Sequence, residues 1–219
     1  LAVLGAAVGL IMLQPDLGTA VIVAGTAYLM FFAAGARPSH LAALAAVGVV
    51  GVLAAAVSSP ERLERLLAFR DPTGDPAGSG FQIIQSLRAL GSGKIFGVGL
   101  GMSKQKYLYV PERHTDFIFA ILGEELGFVG CALVLLLFFI LIWRGMRTAL
   151  LAADPFGGLL ACGLTSMIAF QALINLGVVT GTLPVTGITL PFLSYGGSSL
   201  LVTMLAVGVL LNISRYAHG

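Results

Sequence analysis

The sequence carries very little charge for its length. Only 10% of its 219 residues are Asp, Glu, Lys or Arg, whereas soluble globular domains carry about 25%. The net charge of +2 is also too small for a nucleic-acid-binding domain, which concentrates Lys and Arg in dense patches. These shortages exclude a soluble domain and argue against nucleic acid as a partner.

Cysteine and histidine are scarce as well. Cys131 and Cys162 both lie inside apolar runs, so the sequence offers neither a disulfide framework nor paired zinc ligands. His40, His114 and His218 are scattered along the chain. Their spacing therefore excludes a histidine-based metal motif.

Apolar residues and glycine are abundant instead. Hydrophobic residues make up 58% of the chain, glycine accounts for 29 positions, and the mean hydropathy is +0.98. A helix needs roughly 20 apolar residues to cross the hydrocarbon core. Six segments approach that length, namely 1–13, 20–36, 39–57, 117–143, 156–179 and 190–213. The sequence therefore predicts an all-α, polytopic transmembrane helix bundle, with residues 1–219 as a single membrane domain.

A polar stretch, residues 58–115, separates the third and fourth apolar runs. Residues 81–90 show apolar positions at helical spacing, with Phe81, Ile84 and Leu87 on one face, which predicts a short interfacial helix. Orientation follows from the arginines of the short loops, because cytoplasmic loops are enriched in Lys and Arg. Those arginines are Arg37, Arg144, Arg147 and Arg215. Residues 58–115 are then a long, partly helical extracytoplasmic loop.

Asp116 lies where this polar loop meets the fourth apolar run. An aspartate at such a position commonly caps the helix N-terminus and complements its dipole. A carboxylate at a partly buried membrane boundary can also take a proton from a sugar hydroxyl. The two roles are compatible, and Asp116 is the sharpest catalytic candidate.

Glu124 and Glu125 follow on the same run, which is uninterrupted and apolar from Leu126 to Trp143. Neighbouring residues point about 100° apart on a helix, so only one of the two can face a cavity. Acidic residues at this depth usually face a protein interior or water. A solvated boundary position, or pairing with a basic residue such as Arg113, is the alternative.

The polar loop is also basic and rich in glycine. Its cations suit an anion such as a lipid pyrophosphate, although a solvated loop balanced by acidic residues is equally consistent. The cationic candidates are Arg88, Lys94, Lys104 and Lys106. Residues 91–94 and 97–101 could bring backbone N–H groups to a phosphate. A nucleotide-binding P-loop is excluded because Arg88 and Ile95 stand where glycine and Ser or Thr are required.

Ser194 and Ser198 flank two glycines at the start of the last apolar run. Such a composition allows a broken helix whose backbone groups are satisfied locally or line a cavity. A nucleophilic serine would need a nearby base, and these helices offer no histidine in their interiors. The two serines are therefore predicted to pack or to contact substrate.

Five ordered motifs resemble the SEDS family, named for shape, elongation, division and sporulation, whose members FtsW, RodA and SpoVE polymerise peptidoglycan. The motifs are residues 14–19, 75–82, 111–120, 124–128 and 190–199. The Phe-Leu-Ser-Tyr form of residues 192–195 is more similar to the FtsW and SpoVE branch than to RodA. Because the chain begins inside an apolar run at Leu1, the resemblance implies the last six helices of a ten-helix bundle.

The resemblance implies a glycosyltransferase of the bacterial cytoplasmic membrane with its active site on the extracytoplasmic side. Its substrate would be lipid II, polymerised into β-1,4 glycan strands during division or sporulation with release of undecaprenyl pyrophosphate. Asp116 would be the base that deprotonates the acceptor sugar. Glu112 would orient substrate and, with Glu124, would be a weaker candidate ligand of Mg²⁺ or Mn²⁺.

The family also implies partners, chiefly a class B penicillin-binding protein transpeptidase and other division or elongation proteins. Two alternative functions are a lipid II flippase and a non-enzymatic division scaffold. A flippase would need polar residues along the full membrane depth, whereas the helix midsections hold few. Those few are Thr165, Ser166, Gln171 and Asn175.

Overall fold

A computed structural model describes residues 1–14, 16–72, 79–103 and 116–217, apart from the side chains of Glu61 and Ser79. Within these ranges every regular element is a helix, and no strand occurs. The helices are α1 (Ala2–Leu13), α2 (Leu17–Ala33), α3 (Pro38–Val57), α4 (Pro60–Arg70), α5 (Ser79–Ser92), α6 (Ile118–Leu151), α7 (Pro155–Val179) and α8 (Gly197–Tyr216).

All six predicted apolar runs form helices. Four of them, α3, α6, α7 and α8, are long and apolar enough to cross a membrane, and α1 and α2 are shorter apolar helices. The predicted all-α, polytopic membrane fold is confirmed. Between α1 and α2, the side chain of Asp16 accepts the N–H of Thr19 at 2.9 Å and so caps α2.

The last helix begins later than predicted. Residues 190–196 precede α8 as an irregular segment, in which Phe192 adopts a φ of 67°. The hydroxyl of Ser194 accepts the N–H of Leu190 at 2.7 Å, which satisfies a backbone donor of this irregular segment locally. The expectation of a helix from Leu190 is therefore wrong, because an irregular segment stands before α8.

The chain divides into two compact units. One comprises Leu1–Ala55, Ile140–Gln171 and Leu201–Gly219, and the other comprises Ala56–Phe139 and Ala172–Leu200. We call these the first and the second unit. Each of α6, α7 and α8 contributes residues to both units. Every predicted site residue that the structure describes belongs to the second unit.

Small residues allow close helix contacts within the first unit. A Cβ added at Gly163 would lie 2.7 Å from Sδ of Met30, and one added at Gly25 would lie 3.1 Å from the ring of Phe170. Both contacts join α2 to α7. Close approach at glycine is the usual way in which membrane helices associate, since the hydrophobic effect does not drive helices together in lipid.

The short helix predicted over residues 81–90 is confirmed as α5, but its buried face differs from the prediction. Ile83, Ser86 and Ala89 are buried, whereas Leu87 is 45% exposed. The hydroxyl of Ser86 donates to the carbonyl of Val179 at 2.7 Å, which fastens α5 to the end of α7. The buried face of α5 is therefore mixed, with the apolar Ile83 beside the polar Ser86, while the apolar Leu87 is partly exposed.

Candidate functional site

Helix α6 is interrupted at Gly127, which has φ 68° and ψ −164°. Glycine adopts such a positive φ without the penalty that a side chain would bring. The interruption creates two additional helix ends. Carbonyl groups before it and N–H groups after it have no hydrogen-bond partner within the helix. The prediction of an uninterrupted helix from Leu126 to Trp143 is wrong for this reason.

The segment 94–99 fills this interruption. On one side of Gly127, the N–H of Val98 donates to the carbonyl of Glu124 at 2.9 Å, and the N–H of Gly99 donates to the carbonyl of Glu125 at 3.0 Å. These two N–H groups of the glycine-rich segment are therefore engaged with helix carbonyls. The prediction that they bind phosphate does not hold for them.

The same segment serves the other side of the interruption. The carbonyl of Lys94 accepts the N–H of Phe128 at 2.9 Å, and the carbonyl of Ile95 accepts the N–H of Val129 at 3.1 Å. Four main-chain hydrogen bonds thus replace the helical bonds that α6 loses. We call segment 94–99, together with Gly127, the helix break.

Glycine is required at three positions around the helix break. A Cβ at Gly93 would collide with the carbonyl oxygen of Gly123, one at Gly97 with the carbonyl oxygen of Glu125, and one at Gly127 with the backbone nitrogen of Gly97. Gly97 and Gly127 also have positive φ values of 77° and 68°. Close backbone packing therefore explains why Gly93, Gly97 and Gly127 are glycines.

Glu124 points into the protein beside the helix break. Its side chain is 3% exposed and that of Ser103 is 1% exposed, and the hydroxyl of Ser103 donates to Oε2 of Glu124. Glu125 is half-buried. Of the two glutamates, Glu124 is the one enclosed by protein, and it fastens residue 103, just before the chain leaves the described range.

The predicted divalent cation site can be tested on the described residues only. They contain no group of three or more His, Cys, Asp or Glu side chains that could hold a metal ion. Glu112, the other predicted ligand, lies outside the described residues, as do Lys104 and Lys106. The described donor set alone does not fit a cation, and the site stays a prediction.

Asp116 lies two residues before the first residue of α6 and is half-buried, whereas its neighbour Phe117 is completely buried. The side-chain amide of Asn175, on α7, donates to the backbone carbonyl of Asp116 at 2.7 Å. The same amide nitrogen donates to the carbonyl of Ile188 at 2.7 Å. One side chain therefore joins the start of α6 to the connection between α7 and α8.

That connection, residues 180–196, also approaches the carboxylate of Asp116. A Cβ added at Gly187 would lie 3.7 Å from Oδ2 of Asp116, and Gly187 has a φ of 74°. Next to it, Ile188 is buried. The candidate site thus consists of the half-buried side chain of Asp116, whose carboxylate lies against the backbone of Gly187. The buried amide of Asn175 holds the backbone carbonyl of Asp116.

The other predicted site residues that the structure describes also belong to the second unit. Arg88 on α5 and Lys94 in the helix break have exposed side chains, and Ser198 is exposed in the first turn of α8. Ser194 is half-buried and uses its hydroxyl to bind the N–H of Leu190. Exposure leaves Arg88 and Lys94 accessible to an anion, while Ser194 has a structural role.

Sequence reasoning missed the roles of Asn175, Gly187 and Ser103. From the sequence alone, Asn175 is one of few polar residues in the apolar midsections. A polar residue in such a run is itself a signal of an internal contact. Its partners could not be named, because they lie 59 and 13 positions away along the chain.

The chain belongs to the FtsW, RodA and SpoVE family, described as cell cycle proteins, because the sequence model of that family matches residues 1–219. It is 57% identical over 209 residues to stage V sporulation protein E of Bacillus subtilis, a match covering 95% of this chain and 57% of that protein. It is 48% identical over 206 residues to the probable peptidoglycan glycosyltransferase FtsW of Geobacter metallireducens, covering 94% of this chain and 55% of that protein.

Solved structures agree. A peptidoglycan synthase complex, described as coordinating polymerization and crosslinking, matches with a TM-score of 0.76 and 37% identity, over 98% of this chain and 60% of that one. The rod shape determining protein RodA of Thermus thermophilus matches with a TM-score of 0.65 and 32% identity, over 99% of this chain and 55% of that one. The predicted family is confirmed, and the chain is a membrane protein that spans little more than half the length of these relatives.

Proposed function

We propose that this chain carries the catalytic base of a peptidoglycan glycosyltransferase that polymerises lipid II. The observation that carries the proposal is the placement of Asp116, whose backbone is fixed by Asn175 and whose carboxylate lies against Gly187. Because the side chain of Asp116 is half-buried, it is still reachable by a substrate. The name of the Geobacter FtsW relative, a probable peptidoglycan glycosyltransferase, supports the reaction class.

The chemistry requires a base and a leaving group. The carboxylate of Asp116 takes the proton of the acceptor sugar's 4-hydroxyl, while that oxygen forms a bond to the anomeric carbon of the donor. The bond from this carbon to the pyrophosphate oxygen breaks, and its electron pair leaves on undecaprenyl pyrophosphate. Attack opposite the α-linked leaving group inverts the configuration and gives a β-1,4 linkage.

Cationic groups would stabilise the departing pyrophosphate, since developing negative charge is best met by fixed positive charge. Arg88 and Lys94 have exposed side chains in the second unit and are the described candidates. Lys104 and Lys106 would join them by the sequence argument. A Mg²⁺ or Mn²⁺ ion would add charge of the same sign, with Glu112 and Glu124 as candidate ligands.

The proposed site lies on the extracytoplasmic side, in agreement with the arginines of the short loops. We also propose a class B penicillin-binding protein as partner, together with other division or elongation proteins. The solved complex that resembles this chain couples polymerization to crosslinking, which supports a transpeptidase partner. Lipid II is the substrate of the proposal because its sugars, polyprenol and pyrophosphate match the chemistry above.

The proposal is tested by Asp116→Asn, which keeps the shape of the side chain and removes its basicity. The full-length protein, purified with its transpeptidase partner, is assayed on labelled lipid II. We expect polymer formation to fall by at least about 100-fold, the range of general base catalysis, with folding and partner binding unchanged. Asp71→Asn, at an exposed position after α4, is the matched control and should polymerise normally. Normal polymerisation by Asp116→Asn would remove Asp116 from the mechanism.

A flippase and a scaffold are the rival functions. Reconstitution of the wild-type protein in liposomes with labelled lipid II measures translocation directly. Polymerisation without translocation supports the transferase, and translocation without polymerisation supports the flippase. If the complete complex shows neither polymerisation nor translocation, the scaffold function is supported.

A further inference from the structure

We propose that Asn175 is a positioning residue for Asp116, and that it sets the distance between the Asp116 carboxylate and the connection 180–196. The inference rests on the proposed function, in which Asp116 is the catalytic base. It assigns to Asn175 no contact with substrate. Asn175 acts through the backbone of Asp116 and of Ile188.

The geometry of the amide is unambiguous. Both hydrogen bonds run from Nδ2 of Asn175 to carbonyl oxygens, each at 2.7 Å. A carbonyl oxygen only accepts, so the amide nitrogen and not the amide oxygen must face both of them. The two protons of a single amide group are therefore both used.

The three residues joined by these bonds lie in different segments of the chain. Asp116 precedes α6, Asn175 lies in α7, and Ile188 lies in the connection 180–196. Asn175 is 1% exposed and Ile188 is 7% exposed, so the bond between them is buried, while the bond to the half-buried Asp116 is part-buried. In such surroundings a hydrogen bond is stronger, and its loss is costlier, than at a surface.

Burial of the Asn175 amide is unfavourable in part, and its two hydrogen bonds offset this cost. Asn175 belongs to an apolar helix, and its Oδ1 is buried without a hydrogen-bond partner among the described residues. An unpartnered buried polar atom is unfavourable. A leucine at this position would avoid that cost, so the benefit of the asparagine lies in its two donors.

The tie acts on the reactive group through short connections. Asn175 fixes the carbonyl of Asp116 itself and that of Ile188, the residue next to Gly187, whose backbone approaches Oδ2 of Asp116. Release of either carbonyl would let the carboxylate shift relative to the connection. A misplacement of about 1 Å can cost about 100-fold in rate.

The test compares Asn175→Leu with Gln171→Leu in the full-length protein with its transpeptidase partner. Gln171 lies one turn earlier on α7 and is half-buried, so its substitution removes an amide of similar chemistry that makes no such tie. Initial rates on labelled lipid II give kcat and KM, and thermal unfolding gives stability. We expect Asn175→Leu to lower kcat by at least about tenfold, with KM within about threefold, and Gln171→Leu to leave both nearly unchanged.

A second variant, Asn175→Ser, keeps the test decisive if the Asn175→Leu protein does not fold or assemble. Asn175→Ser is smaller and polar, and its short hydroxyl cannot reach both carbonyls, so kcat should again fall with KM retained. The inference is overturned if whichever of the two variants assembles keeps the wild-type kcat, or if kcat falls only in proportion to the folded fraction.

Asp116→Asn, assayed in parallel, separates this inference from the proposed function. If Asp116→Asn is inactive while Asn175→Leu is normal, the positioning role fails and the base stands. If Asp116→Asn polymerises normally, the proposed function fails first. In the double variant Asp116→Asn with Asn175→Leu, the residual rate should equal that of Asp116→Asn alone, because a positioning residue acts only through the group it positions.

Discussion

Two regions around α6 are held by different means. At the helix break, four main-chain hydrogen bonds join segment 94–99 to both sides of Gly127, and glycines allow the backbones to meet. At the start of α6, a single side chain, Asn175, holds the carbonyl of Asp116. The first arrangement depends on the absence of side chains, and the second depends on the presence of one.

This difference distinguishes positions that control the stability of the fold from positions that control the rate of the reaction. Main-chain bonds survive most substitutions, except those that add a Cβ where backbones touch. A side-chain tie can be removed by one substitution without forcing any atoms to collide. We therefore expect changes at the helix break to affect folding, and changes near Asp116 to affect turnover more than folding.

The largest expected effect comes from Gly97→Ala. The new Cβ would collide with the carbonyl of Glu125, and the residue would be held at a φ of 77°. A positive φ alone costs about 1–3 kcal/mol, and the collision adds to it, so we expect loss of the folded protein or a large drop in melting temperature. Melting in detergent and the yield of folded protein measure the effect.

Gly91→Ala is the control for this prediction. A Cβ at Gly91 would meet nothing within 4 Å, and the position lies inside α5. Alanine there should be neutral or stabilising by up to about 1 kcal/mol, because glycine is the poorer helix former. Equal stability of the Gly97 and Gly91 variants would contradict the close packing of the helix break.

Ser103→Ala should have an intermediate effect. It removes the hydroxyl that donates to the buried side chain of Glu124, and leaving a buried polar partner unsatisfied costs about 1–3 kcal/mol. Stability, measured by thermal unfolding, should fall more than it does for Ser92→Ala. Ser92 is exposed and its hydroxyl bonds only to the carbonyl of Ala89. A smaller effect at Ser103 than at Ser92 would contradict a stabilising role for the hydrogen bond between Ser103 and Glu124.

The contrast between the two regions also explains what the sequence could predict. Long apolar runs define helices in a membrane protein, because the bilayer demands both the length and internal backbone bonding. Asp116 was found for a related reason, since a carboxylate at the end of an apolar run is costly unless it caps, pairs or reacts. Both signals can be recognised in a short stretch of sequence, and the structure agrees with both.

The helix break carried no local signal. Gly127 is one glycine among 29, and glycines are common in membrane helices without interrupting them. The interruption appears only because segment 94–99 supplies the missing hydrogen bonds. The tie of Asn175 to Asp116 likewise joins residues that are 59 positions apart. Such pairings follow from the packing of whole helices, which no single stretch of sequence determines.

Ser86→Ala should have a smaller effect than Gly97→Ala or Ser103→Ala, and it sharpens the comparison further. The hydroxyl of Ser86 donates to the carbonyl of Val179 at 2.7 Å, so it fastens α5 to the end of α7 without touching the backbone of Asp116. Its loss should lower stability by about 1 kcal/mol and leave kcat within about twofold. Ser214→Ala, which removes an exposed hydroxyl bound to the carbonyl of Leu211, should change stability by less than about 0.5 kcal/mol. If Ser86→Ala instead lowered kcat as strongly as Asn175→Leu, the position of α7 as a whole, and not the amide of Asn175, would set the geometry of Asp116.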